Sequence, residues 1–439
     1  MSGSASRASI YEKMLLRNKN TNKEASLVGK ISSFNYFESV YSPEVTANLI
    51  FLDASGSIKA DKAQDIQERL GTIKSSLPIV GEEDLEVLIR SEKSGRLNFT
   101  KKPLRVNTAP TGSSDANRQS VFLSLVSKPA IDNEEINNPT ITYKGRISDT
   151  VKKILKELDI TNADIDPTRN SYNFISRSRG GLDLITDLCR KSIPVNGDPG
   201  YFFYETQDGH NFRAIDNLIS KRPVETYTYT GGMLSNLDND ENDFRIVRPP
   251  RFIKDQNIKE RKKWMSSRNI FYNPATLEVE EKFYTLKGAE GEIGTKVNKT
   301  LGKEIDYVGG SSDTYSKTNH ITLDIGSLDY QNLTPNNDPR EWQAKSPMRY
   351  NLLHSQMMEI QVPCNLELRA GDVIKVEIER QGDDKELGGL DEHTSGKYLI
   401  LHLCHHFDSK RSFTSMTLAR DTYGLHVKGV ENNNEEETD

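Results

Sequence analysis

The sequence has few cysteines, no long apolar run and no excess of positive charge. Cys189, Cys364 and Cys404 are odd in number, widely spaced and free of any CxxC pair. We therefore expect neither a disulfide framework nor a structural zinc site. The protein is expected to fold in a reducing cytoplasm. No apolar run approaches the roughly 20 residues of a membrane span. The Ser-rich residues 1–9 are not followed by the apolar segment of a signal peptide.

The charge balance is mildly acidic. Lys and Arg total 58 against 64 Asp and Glu, a formal net charge of −6, which argues against a general nucleic-acid binder because such proteins carry a basic excess. With 35% hydrophobic and 28% charged residues, and a mean hydropathy of −0.66, the chain is polar for a globular protein. This composition predicts long solvated loops or surfaces that are buried only on assembly. Its 439 residues suggest three domains at about 150 residues each.

The first third of the chain has the pattern of antiparallel β structure. Residues 1–26 are predicted to form a polar N-terminal arm with a short helical turn at Ile10–Leu16. From Leu27 onward, apolar or alternating stretches separated by turn residues predict strands within Ile31–Ile58, Leu85–Phe99 and Val121–Val126.

Near Ile147 the sequence pattern changes from β structure to mixed α and β structure. Val151, Ile154, Leu155 and Leu158 recur at the spacing of one helix face, and Ser148 or Asp149 is placed to cap that helix. Leu182, Ile185, Leu188 and Cys189 repeat the pattern. Tyr201–Tyr204 and Phe212–Ile215 then flank a Gln-Asp-Gly turn, which predicts a hairpin and completes an α+β unit over residues 147–220.

The next hundred residues carry weaker signals. Val224–Tyr229 predicts a strand, Asp255–Trp264 a basic helix, and Ile270–Tyr272 with Leu277–Leu286 a hairpin. The Gly-, Ser- and Thr-rich residues 288–317 predict a long loop.

The last third returns to β structure from His320 onward. In Val373–Glu379 one mostly polar face alternates with an apolar face formed by Ile374, Val376 and Ile378. Tyr398–Phe407 and Phe413–Arg420 predict two further strands. The acidic residues 431–439 are expected to be disordered.

No constellation of side chains demands catalysis or a cofactor. On a strand, His402, Cys404 and His406 would share one face, as metal ligands can, but no fourth ligand has characteristic spacing. We therefore predict that these residues form a histidine-rich sheet face and not a metal site. The Asp238, Asp240 and Asn242 series lacks the glycine and final glutamate of a calcium loop, and residues 288–294 lack the context of a dinucleotide turn.

The basic run Lys259–Lys263 next to Trp264 predicts a solvated helix face, with docking to an acidic partner protein as the alternative. No GxSxG is present, and no carboxylate pair stands out for glycoside hydrolysis. We therefore expect a non-enzymatic protein with no cofactor.

The last hundred residues carry a pattern of a different kind. It runs through Val362–Asn365, Leu368–Ile374 with Gly371 and Asp372, Ser395-Gly396-Lys397-Tyr398, His405–Phe407, and the closing Arg420-Asp421. This pattern resembles the second tube domain of the baseplate hub proteins of contractile-tailed bacteriophages, which are related to the hub part of type VI secretion spikes. Cys364 stands where that pattern has glycine.

The resemblance implies a mainly β, α+β fold with two tube-like antiparallel β-barrel domains and an outer α+β insert between them. The implied units are residues 1–26 (arm), 27–146 (first barrel), 147–310 (outer domain, able to contribute strands to the barrels), 311–428 (second barrel) and 429–439 (tail). In this scheme the Gly371-Asp372 turn and the Ser395–Tyr398 segment each start a barrel strand. The hairpin that ends in Arg420-Asp421 would close the second barrel.

The resemblance also implies a role. Two barrels per chain in a homotrimer give six similar modules, which would adapt a six-fold tail tube to a three-fold central spike in the virion's tail baseplate. The tail tube protein and central spike protein are the implied partners, with contacts to tape-measure and baseplate wedge proteins. DNA would pass through the lumen without specific binding, and assembly would take place in the host cytoplasm.

Two other functions stay open. One is another component of a contractile injection machine, a spike-type hub or a tube initiator. The other is a tail-tip cell-wall hydrolase, which would need a paired-carboxylate or metal site that the sequence does not show.

Overall fold

The structure is a computed structural model of the full chain. It describes residues 7–54, 72–73, 77, 79–81, 83–91, 95–109, 111–115, 118–135, 140–176, 179–231, 243–254, 266–285, 317–327, 336–380, 389–391 and 394–421. The acidic segment 238–242, the basic run at 259–263, the loop at 288–316 and the acidic tail lie outside these residues.

The chain alternates long runs of strands with a few short helices. The strands are β1 (Ile10–Asn18), β2 (Lys23–Ser26), β3 (Ile31–Ser39), β4 (Thr46–Ala54), β5 (Asp84–Arg90), β6 (Arg96–Asn98), β7 (Leu104–Thr108), β8 (Thr111–Asp115), β9 (Arg118–Val126), β10 (Thr142–Tyr143), β11 (Ala163–Ile165), β12 (Phe174–Ile175), β13 (Tyr201–Thr206), β14 (Gly209–Ala214), β15 (Thr226–Tyr229), β16 (Arg251–Lys254), β17 (Ser266–Tyr272), β18 (Val279–Thr285), β19 (Thr318–Thr322), β20 (Gln356–Pro363), β21 (Val373–Ile378), β22 (Gly396–Asp408) and β23 (Ser412–Arg420). The helices are α1 (Lys128–Glu135), α2 (Ile147–Glu157), α3 (Gly181–Cys189), α4 (Ile215–Ile219) and α5 (Arg340–Leu353).

One fifteen-stranded sheet joins both ends of the chain. Its main path is β16-β20-β23-β22-β3-β4-β9-β7-β5-β1-β2, with β21 beside β22 and β15 beside β21. Period-two alternation places Phe34 and Tyr36 of β3 inside and leaves Ser33 and Asn35 half-buried on the other face. The mainly β, α+β fold class predicted from the sequence is confirmed, with the two β regions sharing one sheet.

The first β region, β1–β9, wraps around one apolar core. Leu49 and Phe51 of β4 and Leu123 of β9 lie in this core, which also receives Phe407 from β22. Cys364 is buried in the same core. The C-terminal part of the chain thus helps to fill the core of the N-terminal part.

The second β region consists of β15, β16 and β20–β23. β15 pairs in parallel with β21, and β16 pairs with β20. Residues 244–247 bridge the two ends, because Thr228 donates its N–H to Phe244 O at 3.0 Å and Val247 donates to Gln361 O at 2.8 Å. Main-chain hydrogen bonds therefore run around the whole region, with an irregular segment completing the ring that the assigned strands leave open.

The outer unit comprises residues 140–220. Helices α2 and α3 present Ile154 and Leu188 to the hairpin β13–β14, whose Phe203 and Phe212 complete the core. This confirms the predicted helix–helix–hairpin order. Arg146 occupies the N-cap position of α2 and makes no side-chain capping bond, so the prediction of a Ser148 or Asp149 cap was wrong.

A separate outer sheet, β18-β17-β19, packs against α5. Sequence reasoning placed residues 318–322 in the second barrel, but β19 pairs with β17 in this sheet instead. Helix α5 was not predicted. It contains Pro347 and buries Ser346 and Arg349 beside Met348, so it lacks the apolar spacing that identifies a helix.

Two further expectations were wrong. Ile10–Asn18 forms strand β1 rather than an arm with a helical turn, because Met14 and Leu16 point into the core at period two and β5 and β2 pair on either side. The hairpin ending at Arg420 does not close the second region. β23 lies inside the sheet, between β20 and β22.

Candidate functional site

The exposed face of the shared sheet is a broad polar surface between the two β regions. We call it the polar face. It consists of the outward positions of six strands, Ser33, Asn35, Ser39, Thr46, Asn48, Ser120, Ser124, Glu359, Gln361, His402, Cys404, His406, Ser415 and Thr417, with Phe37, Ile50, Phe122 and Phe413 among them.

Cross-strand register aligns these side chains in rows. Gln361 lies opposite Ser415, Ser415 opposite Cys404, and Cys404 opposite Phe37. A second row runs from Asn35 through Asn48 to Ser124. The polar-face residues named above include no lysine or arginine, and the nearest lysine on the same side of β22 is Lys397 at the start of that strand. The face can therefore offer many hydrogen bonds and few fixed charges.

A groove of about 600 Å³ crosses this face at the β16 side. Its lining includes Phe37, Arg248, Arg251, Glu359, His402 and Cys404. Arg251 and Glu359 form an exposed ion pair at 2.9 Å. The groove is open and mixed in polarity, and its chemistry is that of a contact surface.

The three residues with the geometry of metal ligands lie on this face as predicted. His402 is exposed, Cys404 is half-buried, and His406 hydrogen-bonds to Asn35. Burial raises the pKa of the Cys404 thiol to about 12, so it is a thiol and not a thiolate ligand near neutral pH. Within the described residues, no three His, Cys, Asp or Glu side chains are grouped as a metal site.

The first motif, Gly371-Asp372, forms the turn that leads into β21. Gly371 has φ +83°, and a Cβ there would lie 2.1 Å from Tyr204 Oη of the outer unit. The Asp372 carboxylate accepts the Arg369 N–H at 3.0 Å and lies 3.6 Å from Lys221 Nζ. Burial raises the pKa of Asp372. This turn is a docking point between the second β region and the outer unit.

The second motif closes the opposite end of the same strands. The Ser395 hydroxyl accepts the Ile378 N–H at 3.0 Å, Gly396 has φ +137°, and Lys397 lies opposite Lys375 in the β21–β22 register. Tyr398 donates its hydroxyl to Thr394 O at 2.7 Å. The motif therefore anchors the start of β22.

Arg420 and Asp421 form a buried polar cluster. Arg420 is fully buried, donates to Gln356 Oε1 at 2.6 Å and to Ser395 O at 2.9 Å, and lies over the Tyr398 ring at 4.5 Å. Three strand ends are thereby tied together by one guanidinium. These two hydrogen bonds of Arg420 are made to neutral groups at the ends of strands, which is typical of a structural role.

Sequence reasoning missed the residue that joins this cluster to the outer unit. Arg349 of α5 is fully buried, 2.7 Å from Asp216 of α4 and 3.1 Å from Asp421. Burial alone would lower the pKa of Arg349, but the two carboxylates outweigh it and raise that pKa. No spacing or motif in the sequence marks Arg349 as a core residue.

Searches against known proteins identify the class of fold. No protein family profile and no curated protein matches the sequence. A tail protein from Neisseria meningitidis MC58 matches in structure with a TM-score of 0.53 at 11% identity, over 93% of this chain and 96% of that one. The 43 kDa tail protein of prophage MuSo2 from Shewanella oneidensis matches with a TM-score of 0.51 at 11% identity, over 94% and 100%.

A weaker match, with a TM-score of 0.42 at 12% identity over 90% of this chain and 76% of the other, is a type VI secretion system component of E. coli. The chain therefore has the fold of these first two tail proteins, and the likeness covers nearly the whole of it. Within the described residues, no helix is long and apolar enough to cross a membrane.

Proposed function

We propose that the protein is a structural component of a phage tail, the homotrimeric central hub of a baseplate. It would join the six-fold tail tube protein to the three-fold central spike protein and line the channel through which DNA passes. The observation that carries this proposal is the continuous sheet shared by two β regions of one chain.

The shared sheet supports a ring in a simple geometric way. β22 pairs with β3 in seven consecutive positions, from His402–Ser39 to Asp408–Ser33, so the two regions are held side by side as one surface. Three chains would contribute six such regions, two from each. A ring of this kind matches a six-fold partner on one side and a three-fold partner on the other.

The polar face supports the assignment of the channel lining. Phosphate binding depends largely on lysine and arginine, and the residues that make up the polar face include neither. Serine, threonine and asparagine can hydrogen-bond to water over the same area. DNA moving past such a surface would meet few charges that hold it.

The buried polar groups support a structural role. Arg420, Arg349 and Asp372 tie strand ends and units together. The outer unit and the outer sheet would lie outside the ring, where baseplate wedge proteins can reach them. Contacts with a tape-measure protein would be made from the channel side.

Assembly is the first test. Light scattering should give three times the chain mass of 49.6 kDa, alone or with the tube or spike protein added. The trimer should bury well over about 2,000 Å² in total, as obligate interfaces do. Electron-microscopy class averages should show a central hole surrounded by six lobes. A protein that stays monomeric with both partners present would contradict the hub proposal.

The three cysteines provide a second test, of the channel lining. Cys189 and Cys364 are buried and Cys404 is half-buried on the polar face. Because the raised pKa of Cys404 slows its reaction, the probe is a cysteine at the exposed position of His402 on the same face, in a Cys404→Ser background. In the trimer, a small maleimide should label the His402→Cys variant while a large polyethylene-glycol maleimide should not, with Cys404→Ser alone as the control. Equal labelling by both reagents would show that the polar face points outward. A turbidity assay on purified peptidoglycan tests separately for hydrolase activity and should show none.

A further inference from the structure

A single buried carboxylate holds three parts of the molecule together. Glu38 of β3 is 2% exposed. Its Oε1 accepts the Gln207 N–H at 2.9 Å and the Tyr36 hydroxyl at 2.8 Å, and its Oε2 accepts the Ala370 N–H at 2.9 Å. Gln207 belongs to the β13–β14 turn of the outer unit, and Ala370 to the turn before β21. One side chain thus joins both β regions to the outer unit.

A second buried carboxylate reinforces the same joint. Glu205 of β13 is 8% exposed, and its Oε2 accepts the Val45 N–H, just before β4, at 3.1 Å. The Glu205 main-chain N–H also donates to Ser42 O at 3.3 Å. The β13–β14 hairpin of the outer unit is therefore held to the first β region at two points. Glu205 holds its first strand through the Val45 N–H, and Glu38 of β3 holds its turn through the Gln207 N–H.

We propose that Glu38 and Glu205 form a proton-dependent latch between the outer unit and the shared sheet, which loosens as both carboxylates lose their protons. The proposal concerns the folded chain alone and does not depend on the hub function.

The groups around the two carboxylates supply little compensating charge. Around Glu38 stand the phenols of Tyr36 and Tyr204, the guanidinium of Arg369, which is itself paired with Asp208, and the ring of His405 stacked on Tyr36. Around Glu205 stand Ser127, Lys102, Glu44 and, at 4.0 Å, His210. Burial lowers the pKa of His405 to about 3 and that of His210 to about 4, so both rings are neutral near pH 7.

Burial is the dominant influence on both carboxylates. It raises the pKa of Glu38 to about 7 against the opposing effects of Arg369 and the hydrogen bonds, and it raises the pKa of Glu205 to about 7 against those of Ser127 and Val45. A solvated glutamate has a pKa near 4.3. The two groups therefore change charge close to neutral pH while water is excluded from them.

The direction of the effect follows from this difference. A raised pKa in the folded state means that the stabilisation is complete below the solvated value and is lost as pH rises through about 7. Opening of the joint hydrates the carboxylates and lets them ionise, so opening becomes more favourable between about pH 4.5 and 7. Each group can change the opening equilibrium by up to about tenfold per pH unit in that range.

Hydrogen exchange measures this opening directly. The amides of Val45, Gln207 and Ala370 should lose protection by about tenfold or more between about pH 5.5 and pH 7, after correction for the intrinsic exchange rate. Flat protection of all three amides in the unmodified protein would overturn the proposal whatever the variants do.

Matched variants locate the effect. Glu38→Gln and Glu205→Gln should each reduce the pH dependence at their own amides. Glu83→Gln is the control, because Glu83 is also buried and accepts the Val80 and Gly81 amides, but within a single β region. Full pH dependence that survives in both joint variants, or that disappears in Glu83→Gln, would contradict the latch.

Discussion

The two β regions are completed in different ways. The first takes its nine strands from one stretch of chain, residues 10–126, and borrows a few core side chains such as Phe407 from the end of the chain. The second takes β15 and β16 from residues 226–254 and its other strands from residues 356–420. About a hundred residues between β16 and β20 therefore separate the pieces of the second β region. The strands of the first β region follow one another without such an insertion.

Two fully buried arginines hold the separate pieces of the second region together. The strand ends of the second region are held by Arg420, and Arg349 ties them to the outer unit through Asp421 and Asp216. Such charge-assisted contacts are directional, so they specify which distant segments come together. The second region should therefore depend more on the outer unit than the first does.

A charge placed in the second core should have the largest effect. Val376 is fully buried, so Val376→Asp adds an unpaired carboxylate and should destabilise the protein by more than about 4 kcal/mol. Leu49→Asp is the counterpart in the first core. Chemical unfolding should show one transition lowered by both variants if the shared sheet makes the regions cooperative, and two transitions if it does not.

The neighbouring residue is the control for this prediction. Lys375 is half-buried and paired with Glu377, and Lys375→Ala should change the free energy of unfolding by no more than about 0.5 kcal/mol. Equal unfolding midpoints for the two variants at positions 375 and 376 would contradict the strand register.

Replacing the buried Arg349 should cause the next largest loss of stability. Arg349→Met leaves Asp216 and Asp421 without their cation and should cost about 3 kcal/mol or more. The control is Arg251→Met, which removes an exposed ion pair with Glu359 and should cost less than about 1 kcal/mol. If the second region depends on the outer unit as argued, Arg349→Met should lower the hydrogen-exchange protection of β20 and β23 more than that of β4 and β9.

The sequence predicted the elements with clear periodicity and missed the connections between them. The alternation in β21 and the helical spacing in α2 predicted these elements correctly because one face of each is mainly apolar. Arg349 and Glu38 carry charged side chains and are nevertheless buried. Their burial depends on partners more than a hundred residues away, and no local pattern encodes such partners.

The glycine at the docking turn allows a graded test of the interface between the outer unit and the second region. Gly371→Ala should destabilise by about 2 kcal/mol, because the positive φ is unfavourable for alanine and the new methyl group meets Tyr204 Oη. Gly29 has a similar φ of +80° with nothing within 4 Å of a Cβ, so Gly29→Ala should cost only about 1 kcal/mol. Adding Tyr204→Phe to Gly371→Ala should recover part of the loss, and no recovery would place the cause in the backbone.

The smallest effect is expected at the end of the chain. The acidic residues Glu431–Asp439 repel one another and include no apolar side chain, and the last residue of the buried polar cluster is Asp421. Deleting Glu431–Asp439 should leave the melting temperature and the oligomeric state unchanged, as calorimetry and light scattering can measure. A fall of several degrees in the melting temperature would contradict this prediction. It would mean that the acidic tail packs on the second β region and stabilises it.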